Sequence, residues 1–144
     1  MIEKDVILFV RGEQRFDQLA PEVTELTTPG VMTIAESGEI ALTYQETELT
    51  GMEGTTTRFS ICDDTVVLGR TGGVNSQIVF QRGRRHSSLY ETPWGMMLVD
   101  VSTTGLAYRL GSHGGILEIK FNIAVDHQIT GENQFKIRVR ESAR

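Results

Sequence analysis

Residues 117–125 read LEIKFNIAV. Leu117, Ile119, Phe121, Ile123 and Val125 alternate with Glu118, Lys120, Asn122 and Ala124, a period of two. Successive side chains of a strand point to opposite faces, so this stretch carries one apolar face and one largely polar face. A helix would need apolar residues three and four apart, and that spacing is missing here. A strand with one dry and one wet face belongs to an antiparallel sheet. Ile40, Leu42 and Tyr44 alternate with Ala41 and Thr43 in the same way, and Phe135, Ile137 and Val139 alternate with Lys136, Arg138 and Arg140. Met97, Val99 and Val101 form a further alternating run.

Turn signals separate these runs at short intervals. Ser37-Gly38 reads as a tight hairpin, and Asp63-Asp64 as another between Cys62 and Thr65. Gly51 to Gly54, Gly72-Gly73, Gly111 to Gly115 and Gly131 to Asn133 punctuate the remainder. With fifteen glycines and three prolines, hairpins are favoured over rigid linkers. Glu13 to Ala20 could form a helical turn but is too short for a stable helix. The spacing predicts an all-β chain in a meander. An open sheet of that length would expose its edges, and closure removes them. The expected fold is a single antiparallel up-and-down β-barrel of about eight to ten strands filling one domain, residues 1–144, with a β-sandwich as the alternative.

Composition narrows the function classes. The net charge of −5 argues against a dedicated nucleic-acid binder. Residues 1–64 carry a balance of −9 and residues 65–144 a balance of +4, a polarity that could orient a partner. The lone Cys62 cannot form an internal disulfide and suits a reducing compartment; as a small residue it reads as a buried packing group. The apolar run Val6 to Val10 is too short for a signal h-region or a membrane span. The expected localisation is cytoplasmic.

YQETELTG at 44–51, LGRTGGVNSQIVF at 68–80 and QRGRRHSSLYETPWG at 81–95, with Thr103 and the closing NQFKIRVRE, give the chain a family likeness. The most specific piece is Tyr90-x-Thr92-Pro93-x-Gly95, flanked by Arg70-x-Gly72 and Phe80-x-x-Gly83. The sequence resembles the YwiB-like family of uncharacterised bacterial proteins, which are assigned a calycin-like β-barrel. That resemblance implies a calycin or lipocalin-like barrel and carries no activity with it. Calycin relatives often hold small, mostly apolar ligands, an analogy at the level of fold.

Catalytic and metal signatures are weak. In HSSLYETPWG at 86–95, strand alternation sets His86, Ser88 and Tyr90 on one face and Ser87 and Glu91 on the other. No nucleophile elbow accompanies them. Thr92-Pro93-Trp94-Gly95 reads as a turn. His86, His113 and His127 lack metal-ligand spacing, and Cys62 beside Asp63-Asp64 is no zinc or calcium motif. GRTGG at 69–73 and GSHGG at 111–115 lack the ending of a phosphate-binding loop. Arg82, Arg84 and Arg85 could grip an anion, and Lys136, Arg138 and Arg140 read as a solvated strand face.

What survives is a polar rail. Arg84, His86, Ser88 and Tyr90 could line one barrel wall with Tyr44 opposite, the dress of a ligand pocket. These five are the candidate ligand-binding residues. The expected function is a barrel that binds a small amphipathic or anionic molecule, with Arg84 and His86 at its polar head. The alternative is a non-enzymatic structural or protein-interaction barrel with a packed core. The expected partner is a small-molecule ligand or a second copy in a homodimer. No catalytic residue, cofactor, metal, nucleic acid or membrane is expected.

Overall fold

The computed structural model describes residues 1–15, 20–92, 95–125 and 128–142, without the side chains at 49, 90–92 and 128–130. Ten strands follow one another: β1 (Ile2–Arg15), β2 (Glu22–Ile34), β3 (Ile40–Gln45), β4 (Thr55–Cys62), β5 (Thr65–Gly72), β6 (Ser76–Gln81), β7 (Arg85–Thr92), β8 (Gly95–Gly111), β9 (Gly114–Val125) and β10 (Gln128–Glu141). A single 3₁₀ turn, Glu48–Thr50, is the helical segment among the described residues. No described helix is long and apolar enough to cross a membrane.

Every strand pairs antiparallel with its neighbour in sequence except at one place, between β6 and β7. The circuit continues through the chain ends, where β1 pairs with β10, Leu8 opposite Val139 and Val10 opposite Ile137. The result is an up-and-down barrel, nearly closed, with its seam between β6 and β7. Turn atoms bridge the seam to β8: the Gly83 N–H donates to Thr103 O at 3.0 Å, and the Thr103 N–H donates to Arg84 O at 3.1 Å. The Arg82 guanidinium donates to Leu106 O, from Nε at 2.9 Å and also from a terminal nitrogen. These contacts fall where a register shift between Thr103 and Gly105 bulges β8, and a bulge bends its strand.

The expected alternation holds in β9 and β10, while in β3 Ala41 is buried along with Ile40 and Leu42. Ile40, Leu42 and Tyr44 point inward, as do Leu117, Ile119 and Phe121, and Ile137 and Val139. Val6 and Leu8 from β1, Phe59 and Ile61 from β4, and Val66 from β5 join them in one core. Burial of such side chains is worth about 1.5–3 kcal/mol each, measured against an extended chain.

Several local expectations shift. Gly131 to Asn133 is no turn but lies within β10, where the register slips between Ile129 and Gly131; the β9–β10 connection falls between Val125 and Gln128. Glu13 to Arg15 finish β1 rather than start a helix, and 16–19 lie outside the described residues. Thr92 pairs with Gly95 across the β7–β8 hairpin, while Pro93 and Trp94 lie outside the described residues. Cys62 is exposed rather than buried, because it ends β4 on the outward face beside the Asp63 turn. The Asp63 carboxylate raises its thiol pKa, which keeps the sulfur in its less reactive form.

Candidate functional site

The barrel interior has two halves. Toward the start of β1 it is filled by Leu8, Leu42, Ile61, Leu117 and Ile137. Toward the end of β1 the same inward rows open into a cavity of about 580 Å³. Its apolar wall is aromatic. The Phe80 and Phe121 ring centroids are 4.7 Å apart, Phe121 and Phe135 are 5.5 Å apart, and Phe80 meets Phe135 edge-on at 6.4 Å. Gly12 lies opposite Phe135 on the neighbouring strand, and a Cβ there would stand only 3.5 Å from the Phe135 ring. The missing side chain is part of the cavity's width.

The polar wall comes from three adjacent strands. Tyr44 on β3 is opposite Thr57 on β4, and Thr57 is opposite Arg70 on β5. Facing residues of neighbouring strands lie on the same side of a sheet, so the three form one inward row. Glu46, just past β3, is 5% exposed. Its carboxylate accepts the Thr57 hydroxyl at 2.7 Å and the Thr50 hydroxyl at 2.8 Å. Its backbone N–H donates to Thr55 O at 2.8 Å, so the carboxylate is held from both ends. Burial, and then the Glu46 charge, push the Tyr44 phenol well above its ordinary value. Tyr44 is therefore a neutral hydroxyl at any physiological pH.

Arg70 differs from its neighbours in the row. It lines the cavity, yet its Nε is buried without a hydrogen-bond partner. A buried donor left unmade costs about 1–3 kcal/mol, more when charged. The polar wall thus holds an acceptor whose two oxygens are each engaged, Glu46, and an unsatisfied donor, Arg70.

Of the five residues singled out in the sequence, Tyr44 lines this cavity. Register gives His86 and Ser88 the inward parity of their partners Val101 and Val99. Both are half-buried, and neither lines the cavity. The His86 ring is engaged at the seam, its Nε2 2.9 Å from Gln81 Oε1. Arg84 is exposed in the β6–β7 turn. Tyr90 shares parity with Met97, and its side chain lies outside the described residues. Ser87 faces outward and donates a short hydrogen bond to the buried Asp100. Serine and histidine of this stretch thus have separate partners. No group of three potential metal ligands occurs among the described residues.

Sequence reading missed Glu46 and Arg70 as cavity residues, and the buried Thr57 that stands between Tyr44 and Arg70 in register. The available signal was parity: Tyr44 and Glu46 are two apart, and Arg70 follows Val66 and Leu68 at strand spacing. Both Glu46 and Arg70 sit in the stretches that carried the family likeness.

The model of a domain of unknown function, DUF1934, matches residues 9–137. The chain belongs to the DUF1934 family. Among solved structures it is similar to the YwiB protein from Bacillus subtilis, at a TM-score of 0.85 and 20% identity, covering 98% of this chain and 94% of that one. At that identity the likeness speaks for the barrel fold. No curated protein matches the sequence. The resemblance read from the motifs is therefore shown at the level of family and fold, and this DUF1934 member is an uncharacterised antiparallel β-barrel.

Proposed function

We propose that this DUF1934 barrel is a calycin-like binding module that holds one small amphipathic molecule in its open half. The polar end of the ligand meets Arg70, and its apolar body lies against Phe80, Phe121 and Phe135. The single observation behind this reading is the buried, unpartnered Arg70 Nε on the wall of a cavity of about 580 Å³, a size within the usual range for small-molecule sites. Tyr44 keeps the ligand-facing role read from the sequence. Arg84, His86 and Ser88 stand nearer the seam, where they would meet a ligand only if it extended across from the cavity. We propose a cytoplasmic location, since a single cysteine suits a reducing compartment.

The test is native mass spectrometry of protein purified from its own host, paired with titration of the anionic probe 1-anilinonaphthalene-8-sulfonate. One small molecule, or one probe, per chain is expected. Gly12→Leu should abolish binding while preserving the fold, since Gly12 lies on the cavity wall in ordinary backbone geometry. Protein that carries no small molecule and binds no probe would overturn the reading in favour of a structural barrel, whose assembly state the same spectra report.

A further inference from the structure

The polar wall also points to the charge of the ligand's head group. Glu46 has its carboxylate engaged by Thr50 and Thr57, and it lies against Tyr44. Both of its carboxylate oxygens already accept a hydrogen bond from within the chain. Among the described residues Arg70 is the one cation on the cavity wall, which also carries the carboxylates of Glu13 and Glu22. Glu13 is already placed between Arg11 and Arg15, at 3.8 Å from each. Beside Arg70 in register, Ser76 on β6 also has a buried hydroxyl without a partner. The unmet hydrogen-bonding capacity of this wall is thus concentrated at Arg70 and its neighbour.

We propose, resting on the binding reading above, that the open half selects a carboxylate with an apolar body, a single negative charge, over a phosphate monoester or a neutral polar head. A carboxylate supplies two acceptors in the plane of the guanidinium fork. It neutralises Arg70, with one charge for one charge. A phosphate monoester carries close to two charges at neutral pH, and its second charge would face Glu46 without a counter-ion. An amide or alcohol satisfies the Arg70 donor but leaves its charge unpaired in a partly dry wall. The phenylalanines opposite exclude a head group that needs solvation on all sides.

Four probes with one tail separate these cases: octanoate, octyl phosphate, octanamide and octanol, titrated calorimetrically at pH 8. Octanoate is expected to bind roughly tenfold or more tighter than octanol and octanamide, the scale of a charged hydrogen bond. Octyl phosphate is expected to bind more weakly than octanoate at pH 8 and to recover at pH 5.5, where it carries nearer one charge. Arg70→Met should reduce octanoate to the level of octanol, and Glu46→Gln should admit octyl phosphate at pH 8. If Arg70→Met does not fold, as judged by near-UV circular dichroism, Arg70→Lys serves instead. It keeps the charge but loses the planar fork, and octanoate should weaken several-fold. The inference is overturned if octanoate shows no preference over octanol, if that preference survives in Arg70→Met or is undiminished in Arg70→Lys, or if octyl phosphate binds as tightly as octanoate at pH 8. Neutral probes that bind without a carboxylate preference would overturn this inference alone. Failure of all four would overturn the binding reading as well.

Discussion

The two halves of the barrel are built from the same strands in the same register, yet they do different things. β3 contributes Ile40 and Leu42 to one half and Tyr44 to the other; β5 contributes Val66 to one and Arg70 to the other; on β4, Ile61 packs in the closed half and Phe59 meets the Phe135 ring of the open half edge-on at 6.0 Å. In the closed half, branched aliphatic side chains interlock at the density of an organic crystal. In the open half, large aromatic rings on β6, β9 and β10 face a row of polar groups on β3, β4 and β5. Rings and polar groups do not interdigitate, and Gly12 removes the side chain that would fill the gap. Stability is concentrated in one half, and unmet bonding capacity in the other.

Substitutions should therefore have opposite consequences in the two halves. Leu42→Ala, in the closed half and fully buried, should cost about 2–5 kcal/mol in urea unfolding, because the hole is lined by neighbours that cannot collapse into it. Tyr44→Phe should cost less, about 1–3 kcal/mol at pH 7, since Glu46 loses a hydroxyl that faces its charge. It should also change the alkaline limit. With the folded phenol pKa raised above the ordinary value near 10, the native state holds its proton longer than the unfolded chain. The Tyr44 contribution is complete below about pH 10 and is lost as pH rises from there toward the folded value. Melting curves between pH 9 and 11 should fall more gently for Tyr44→Phe than for the wild type. A parallel fall would break the assignment.

Arg70→Met is expected to reverse the sign. Replacing an unpartnered buried nitrogen with an apolar chain of similar length should leave stability unchanged or raise it by up to about 1 kcal/mol, while the preference for a carboxylate is lost. A destabilisation as large as that of Leu42→Ala would mean that Arg70 is a structural strut and the two halves are not distinct. The smallest effect belongs outside both. Glu141 is held below its ordinary pKa first by the His113 hydrogen bond and then by Lys4. That contribution is present above the ordinary carboxylate range and fades as pH falls through the lowered value. His113→Ala should move the Glu141 titration back upward in an NMR pH series with hardly any change in melting, since the pair is solvent-exposed.

Much of the fold was legible because a period of two is a local property. LEIKFNIAV, Ile40 to Tyr44 and Phe135 to Arg140 each declare an inner and an outer face without reference to the rest of the chain. The Asp63-Asp64 and Ser37-Gly38 turns were equally readable, since turn chemistry lies in a few adjacent residues. Gly131 misled because glycine serves bulges as well as turns, and only pairing with β9 tells them apart. Of the cavity wall, the sequence reading had named one residue, Tyr44. The dense stretch HSSLYETPWG drew attention through its residue types, but its groups are parted by parity and taken up by Gln81 and Asp100. Glu46 and Arg70 stand 24 positions apart in a chain whose β3–β4 connection runs through residues 46–54, and no local pattern states that they line one cavity.

The sequence by itself determined that this chain is all-β, which faces of its strands are apolar, and that its edges demand closure, because alternation, turn chemistry and exposed edges act over short range. Only the tertiary structure decided where the barrel closes and which half stays open. Those depend on cross-strand register, which places Tyr44, Thr57 and Arg70 in one row, and on which side chains meet across the interior, where Phe80, Phe121 and Phe135 face polar groups they cannot pack against.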